Sequence, residues 1–253
     1  MKVEKISKTK SNKYKIKFDN DENLITYDDV IINNNLLSKG DIDDDKLSKI
    51  FKDTEYYDVY NKVIKYLSRK MRSEKEVKDF LSDFELKEDD KNKIIDNLKK
   101  ISLINDVTFS KAFVTDRFNL SNDGPFKIKR ELERHNVNDD VIEDAISYIC
   151  EGELCDKVTN MVLKKIKSNK KDSSYILRQK VVMDLSNKGY DKGLVSDIFD
   201  ANKKDDKAAI EYNYNSILRR EPKIDRKKLF QKLYKKGFSM NDINLYLNEK
   251  GME

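Results

Sequence analysis

Cations carry the chemistry this sequence offers, because the residue types needed for covalent work are missing or badly spaced. The chain has a single histidine, His135, and two cysteines, Cys150 and Cys155. One imidazole gives no Ser-His-Asp or Cys-His arrangement with workable spacing, and no glycine-rich phosphate loop is present. Structural zinc takes four nitrogen or sulfur ligands, which this set does not supply. The cysteines straddle Glu-Gly-Glu-Leu; no disulfide is expected in a reducing compartment, and they read as buried or half-buried thiols. No cofactor, metal or catalytic group is expected. What remains is attraction between basic side chains and an anionic partner, either phosphates or an acidic protein face.

Three groups of cations stand out. Arg69 and Lys70 close one apolar-periodic stretch, where a helix dipole favours positive charge, and Arg72 opens the next. Lys127, Lys129, Arg130 and Arg134 form a basic stripe in an otherwise acidic segment. Positions 127, 130 and 134 share one helical face, with 129 to the side. Arg219, Arg220, Arg226, Lys227 and Lys228 dominate the C-terminal part. Tyr212 and Tyr214 precede them, but two tyrosines do not make a base-stacking platform. Net charge is +5 overall and unevenly spread: −5 over residues 106–154, then +5 over 155–203 and +4 over 204–253.

The elements that position these groups announce themselves by repetition. Leu132, Leu185 and Leu233 are each followed four residues later by Asn136, Gly189 or Gly237, then at once by Val137, Tyr190 or Phe238. Gly and Asn tolerate the left-handed conformation that ends a helix, and the next hydrophobe folds back on the last turn. Asp139, Asp191 and Ser239 are candidate N-caps for the helices that follow. Leu81 opens a weaker copy, and Ser73 with Glu76 forms a capping box before it. A period near 50 residues with helical patterning predicts a mainly α fold: tandem three-helix repeats stacked in an elongated, curved array. The predicted repeats cover 57–105, 106–154, 155–203 and 204–253, with first helices near 57–70, 107–119, 155–167 and 206–219.

Residues 1–56 differ. Two runs alternating polar and apolar residues, then Leu24-Ile-Thr-Tyr, predict a small antiparallel meander. A short helix from Asp28, stopped by Ser38-Lys-Gly40, and another near 43–52 lead into the first repeat. Charged residues are 39% of the chain, hydrophobic ones 38%, and there are seven Gly and two Pro. That profile suits many short, solvated helices. No apolar run is long enough to span a bilayer, and the first residues lack a secretory apolar core, so a cytoplasmic monomer with no membrane partner is expected.

The order of motifs resembles the RecX family of bacterial recombination regulators. Tyr66-Leu-Ser-Arg69-Lys-Met-Arg72-Ser73-Glu-Lys-Glu76-Val77 precedes Leu98 to Asp106 and Phe109, then Gly124-Pro-Phe-Lys-Ile128-Lys-Arg-Glu131-Leu132. The likeness covers about residues 57–150 and extends weakly through the later repeats. The N-terminal part looks like the extension of longer Gram-positive members. Val77 stands where Leu is usual, and Glu85 where other repeats have Gly or Asn, so the first repeat's middle helix must end differently. The resemblance implies a non-enzymatic protein that binds the RecA recombinase filament and inhibits its ATP hydrolysis and strand exchange. Single- or double-stranded DNA is a second implied partner. The twelve cations above are the expected contacts, with Arg72 left at its helix entry to reach a partner unless it pairs with Glu76 or Asp79. A competing reading is a sequence-independent nucleic-acid-binding helical protein whose basic C-terminal half carries the affinity.

Overall fold

The computed structural model describes residues 1–11, 13–38 and 40–251. Two compact units, Met1–Phe109 and Ser110–Glu253, divide the chain. Thirteen helices and one three-stranded sheet lie among the described residues. The structure is therefore mainly α with a small N-terminal β portion.

In the first unit, alternation in the sequence produces β1 (Val3–Lys8), β2 (Tyr14–Phe18) and β3 (Asn23–Thr26), antiparallel and in that order. Ile16 lies opposite Ile6 on one side and Leu24 on the other. Ile16, Phe18 and Leu24 share a buried core with Val30, Ile31, Leu36 and Ile50. A sheet this small is not stable alone. It leans on α2 (Asp44–Leu67): the Thr26 and Thr54 hydroxyls are 2.7 Å apart, and Asp58 accepts from Lys13 Nζ and Tyr27 OH, both at 2.6 Å.

Two local readings change. The helix α1 (Asp28–Asn33) ends before Ser38, where Asn35 takes a φ of 50°. Lys39, in the expected stop signal, lies outside the described residues. The sequence suggests separate helices near 43–52 and 57–70, yet α2 is one helix of 24 residues ending at Leu67. Asp43 caps it through the Lys46 amide. No Gly or Pro interrupts it, and Thr54 stays helical by donating to the Ile50 carbonyl at 2.7 Å.

The second half of α2 packs with α3 (Glu74–Ser82) and α4 (Glu88–Lys100) around Val63, Val77, Leu81, Ile94 and Leu98. The helix α3 ends at Asp83 with ordinary right-handed dihedrals, the different ending that Glu85 requires. Its start is the expected capping box between Ser73 and Glu76.

The second unit continues in triplets. The helices α5 (Asp106–Asn119), which crosses the division between the units, α6 (Pro125–Arg134) and α7 (Asp139–Ser147) come first. Then follow α8 (Glu151–Ser168), α9 (Ser174–Asn187) and α10 (Lys192–Asn202), and finally α11 (Lys207–Arg220), α12 (Arg226–Tyr234) and α13 (Met240–Glu249). The middle helices end as the repeated signature requires. Asn136, Gly189 and Gly237 have φ of 53°, 89° and 80°, and Val137, Tyr190 and Phe238 behind them are buried. The Tyr190 amide donates to the Leu185 carbonyl at 3.1 Å, closing a Schellman turn. Asp191 and Ser239 cap as expected, but α7 is capped by Asn138 rather than Asp139. Asn138 holds the extended conformation of a cap, with Asp139 already helical.

Candidate functional site

Among the described residues, no group of three or more His, Cys, Asp or Glu is placed to hold a metal ion. Both cysteines are free thiols; Cys150 is exposed at the start of α8, not buried, and Cys155 is half-buried. His135 ends α6 with its ring 5.6 Å from that of Phe113. The candidate site is therefore the set of outward cations and the helix ends that aim them.

The first group sits where α2 turns into α3. Arg72 is not left to reach outward: its Nη1 donates to Glu76 Oε1 at 2.8 Å. Its guanidinium lies 4.1 Å from the Tyr66 ring centroid, and Tyr66 stacks on Phe80 with 4.3 Å between centroids. Glu76 also accepts from the Ser73 amide at 3.1 Å, so one carboxylate serves both the helix cap and the arginine. Burial pushes the Glu76 carboxyl up, but the Arg72 and Ser73 hydrogen bonds and the Lys70 charge outweigh it and hold its pKa below the ordinary value. Lys70 reaches the same carboxylate at 3.4 Å while largely exposed. Arg69 is exposed with no ion pair among the described residues.

The stripe on α6 divides similarly. Lys127 is held by the buried Asp123 at 2.7 Å, and Lys129 reaches Glu143 at 3.6 Å. Arg130 and Arg134 are exposed on the helix. In the last triplet, Arg219, Arg220 and Lys227 are exposed. Arg226 donates to Asn248 Oδ1 at 2.7 Å, and Lys228 approaches Asp225 at 3.5 Å. The basic first turn of α12 works against the helix dipole; Asp225 at the N-cap, accepting from the Lys228 amide at 2.8 Å, offsets it.

What the sequence reading missed are the residues that join one triplet to the next. The Gly124 amide donates to the Lys188 carbonyl at 2.7 Å, and the Phe126 amide to the Gly189 carbonyl at 3.0 Å. A Cβ on Gly124 would lie 2.4 Å from the Gly189 carbonyl carbon, so backbone meets backbone here. Tyr190 beneath donates from its hydroxyl to the Asn122 carbonyl at 3.1 Å, and burial with the neighbouring Asp123 charge pushes its pKa up to about 12. Further along, Ser173 Oγ donates to the Lys236 carbonyl at 3.1 Å. The Ser174 amide and hydroxyl both donate to Asp206 Oδ1 at 2.7 Å. In the first unit the Glu74 amide donates to Asp106 Oδ1 at 2.9 Å. The recurring offset of 32 residues is a sequence signal that was there to be read.

Comparison with known proteins gives this arrangement a family. Residues 60–98 match the first three-helix domain of RecX and residues 105–146 the second. The regulatory protein RecX of Oceanobacillus iheyensis is 30% identical over 233 residues, covering 88% of this chain and 86% of that protein. The regulatory protein RecX of Streptococcus sanguinis is 30% identical over 260 residues, covering 98% and 99%. A crystal structure of regulatory protein RecX shares the fold, with a TM-score of 0.70 at 22% identity over 79% of this chain and 98% of the other. RecX from Lactobacillus salivarius superposes with a TM-score of 0.55 at 28% identity, covering 58% and 96%. No helix among the described residues is long and apolar enough to cross a membrane. With its triplet helices, its capping box and this near-full-length likeness, the chain belongs to the RecX family of regulatory proteins.

Proposed function

We propose that this protein binds the RecA recombinase filament, inhibits its ATP hydrolysis and strand exchange, and so modulates recombination and DNA repair. The observation that carries the reading is the likeness of almost the whole chain to proteins named regulatory protein RecX. The protein acts by occupancy rather than catalysis, as a cytoplasmic monomer. Its working parts are the N-terminal extension (1–56) and four three-helix repeats (57–105, 106–154, 155–203 and 204–253). Short helices joined end to end suit a partner that is itself a polymer.

The side chains that meet the filament are the outward cations Arg69, Arg130, Arg219, Arg220 and Lys227. Arg72 and Lys127 hold their own helices through Glu76 and Asp123. The test is co-sedimentation with preformed RecA filaments. Reversing Arg130, Arg219 and Arg220 together to Glu should weaken binding by at least about tenfold, with thermal stability unchanged. Arg72→Ala should lower the melting temperature and leave filament affinity near that of the parent once the protein is folded. Parent-like binding by the triple variant would remove these cations from the contact.

A further inference from the structure

The N-terminal sheet is finished on one side and open on the other. On the β3 side its core-facing residues Leu24 and Thr26 are 8% and 0% exposed. On the β1 side Val3 and Ile6, with Tyr14 beside them on β2, are only half-buried against the same core. β1 is the outer strand there. The chain covers its edge only at the start, where Met1 and Ile42 exchange backbone hydrogen bonds at 3.2 and 2.8 Å.

The ladder shows which groups stay open. The Thr9 amide donates to the Lys13 carbonyl at 2.8 Å, so by alternation Ser7 bonds with Lys15, and Ile6 and Lys8 turn their N–H and C=O groups away from β2. On the far side of β2 the Phe18 amide donates to the Glu22 carbonyl at 3.0 Å, which commits Ile16 to β3 and agrees with that assignment. The solvent side of the sheet is basic near this edge. Lys17 is taken by Glu4 at 2.8 Å and Asp21 at 3.1 Å, whereas Lys5 and Lys15 are exposed and form no ion pair among the described residues. The β3 edge is flanked instead by Asp21, Glu22, Asp28 and Asp29.

We propose that the open edge of β1 takes up an extended peptide of alternating acidic and apolar residues as a fourth, antiparallel strand. Backbone hydrogen bonds to Ile6 and Lys8 hold such a strand, and its alternate side chains select it. The residue opposite Ile6 falls on the core side, where an apolar side chain completes the half-buried surface of Val3 and Ile6. Its neighbours fall on the lysine side, where carboxylates meet Lys5 and Lys15. Lysines on an edge repel basic strands, so the same residues that guard β1 admit an acidic one. Antiparallel addition continues the meander and is the stronger pairing per residue. The inference goes beyond the filament reading and does not depend on it.

The experiment uses the full-length chain without recombinase: fluorescence anisotropy of a labelled peptide of alternating glutamate and valine. Lys5→Glu with Lys15→Glu should weaken binding by about fivefold or more. Lys8→Pro, which removes an outward N–H and no bond to β2, should do the same. Lys49→Glu with Lys52→Glu, exposed on α2, should change affinity by less than about twofold, and circular dichroism checks that each variant is folded. N-methylation of the valine amides, which face β1 in this register, should abolish binding, whereas N-methylation of the glutamate amides should leave it near that of the parent peptide. Equal losses in the two lysine pairs, or parent-like binding by both edge variants, would overturn the site. Equal binding of a lysine–valine peptide would overturn the acidic partner, and equal effects of the two methylations would overturn strand addition. Concentration-dependent dimerisation in sedimentation that the edge variants lose would give the edge to a second copy of the chain and overturn the peptide assignment.

Discussion

The α6–α9 and α9–α12 junctions solve one packing problem with different chemistry. At the first, amides of Gly124 and Phe126 donate to carbonyls of Lys188 and Gly189. Pro125 between them has no N–H to give. At the second, Ser173 Oγ donates to the Lys236 carbonyl behind α12, and the α11 residues Asp206, through its carboxylate, and Asn213, whose Nδ2 donates to the Lys171 carbonyl at 2.7 Å, add to the link. A backbone-to-backbone junction needs two residues without side chains and admits no adjustment. A side-chain junction needs a glycine on one side only, Gly237, and depends on hydroxyl, amide and carboxylate groups that can be altered one at a time.

The largest effect should come from the closer junction. Gly189→Val places a β-branched side chain at a φ of 89° and a Cβ 2.3 Å from the Lys127 amide nitrogen, so a loss of about 3 kcal/mol or more is expected in thermal or urea unfolding. Gly124→Ala isolates the close approach, since its φ of −83° is ordinary, and should cost about 1–3 kcal/mol. Gly237→Ala should cost less, about 1–2 kcal/mol, because its Cβ would meet the side chains of Ile176 and Ser173, each at 2.8 Å. Gly237→Ala proving as costly as Gly189→Val would erase the distinction between the junctions.

Asp206→Ala should cost about 1–3 kcal/mol, since the Ser174 amide loses its charged acceptor while the Ser174 hydroxyl can still donate to the Lys204 carbonyl at 2.9 Å. Asp156→Ala, exposed on α8 and in no ion pair among the described residues, should be close to neutral. A smaller effect is pH-dependent and belongs to the second junction. Burial pushes Asp172 up, but the Lys180 and Asn169 hydrogen bonds outweigh it and leave its pKa below the ordinary 3.8. Its contribution is therefore present above about pH 4 and lost as pH falls through the folded value. Lys180 is mostly exposed, which limits the contribution to below about 1 kcal/mol. Asp172→Asn should flatten the acid limb of stability; an unchanged limb would remove this carboxylate from the account. Gly152→Ala, near the start of α8 with open space around it, should stabilise by about half a kcal/mol.

The same comparison explains what the sequence could reveal. Helix ends are local: Leu185, Gly189 and Tyr190 lie within six residues, so their pattern reads directly as a left-handed cap. Ser73 and Glu76 read as a capping box for the same reason. The second role of Gly189, its contact with Gly124, joins residues 65 apart and leaves no local trace. The pair of Arg72 with Glu76, four residues on, was one of the alternatives legible in the sequence, whereas the Tyr66 ring under the guanidinium comes from α2 and meets it only once α2 and α3 fold together. The division of α2 into two helices failed because nothing between its ends stops a helix: the stretch has no Gly or Pro.

The most direct test of the functional account is single-stranded-DNA-dependent ATP hydrolysis by the host's RecA, with this protein titrated into preformed filaments in the presence and absence of excess competitor DNA. The account predicts loss of hydrolysis at protein concentrations well below that of RecA, unchanged by competitor. Undiminished hydrolysis, or inhibition that competitor DNA abolishes, would contradict it.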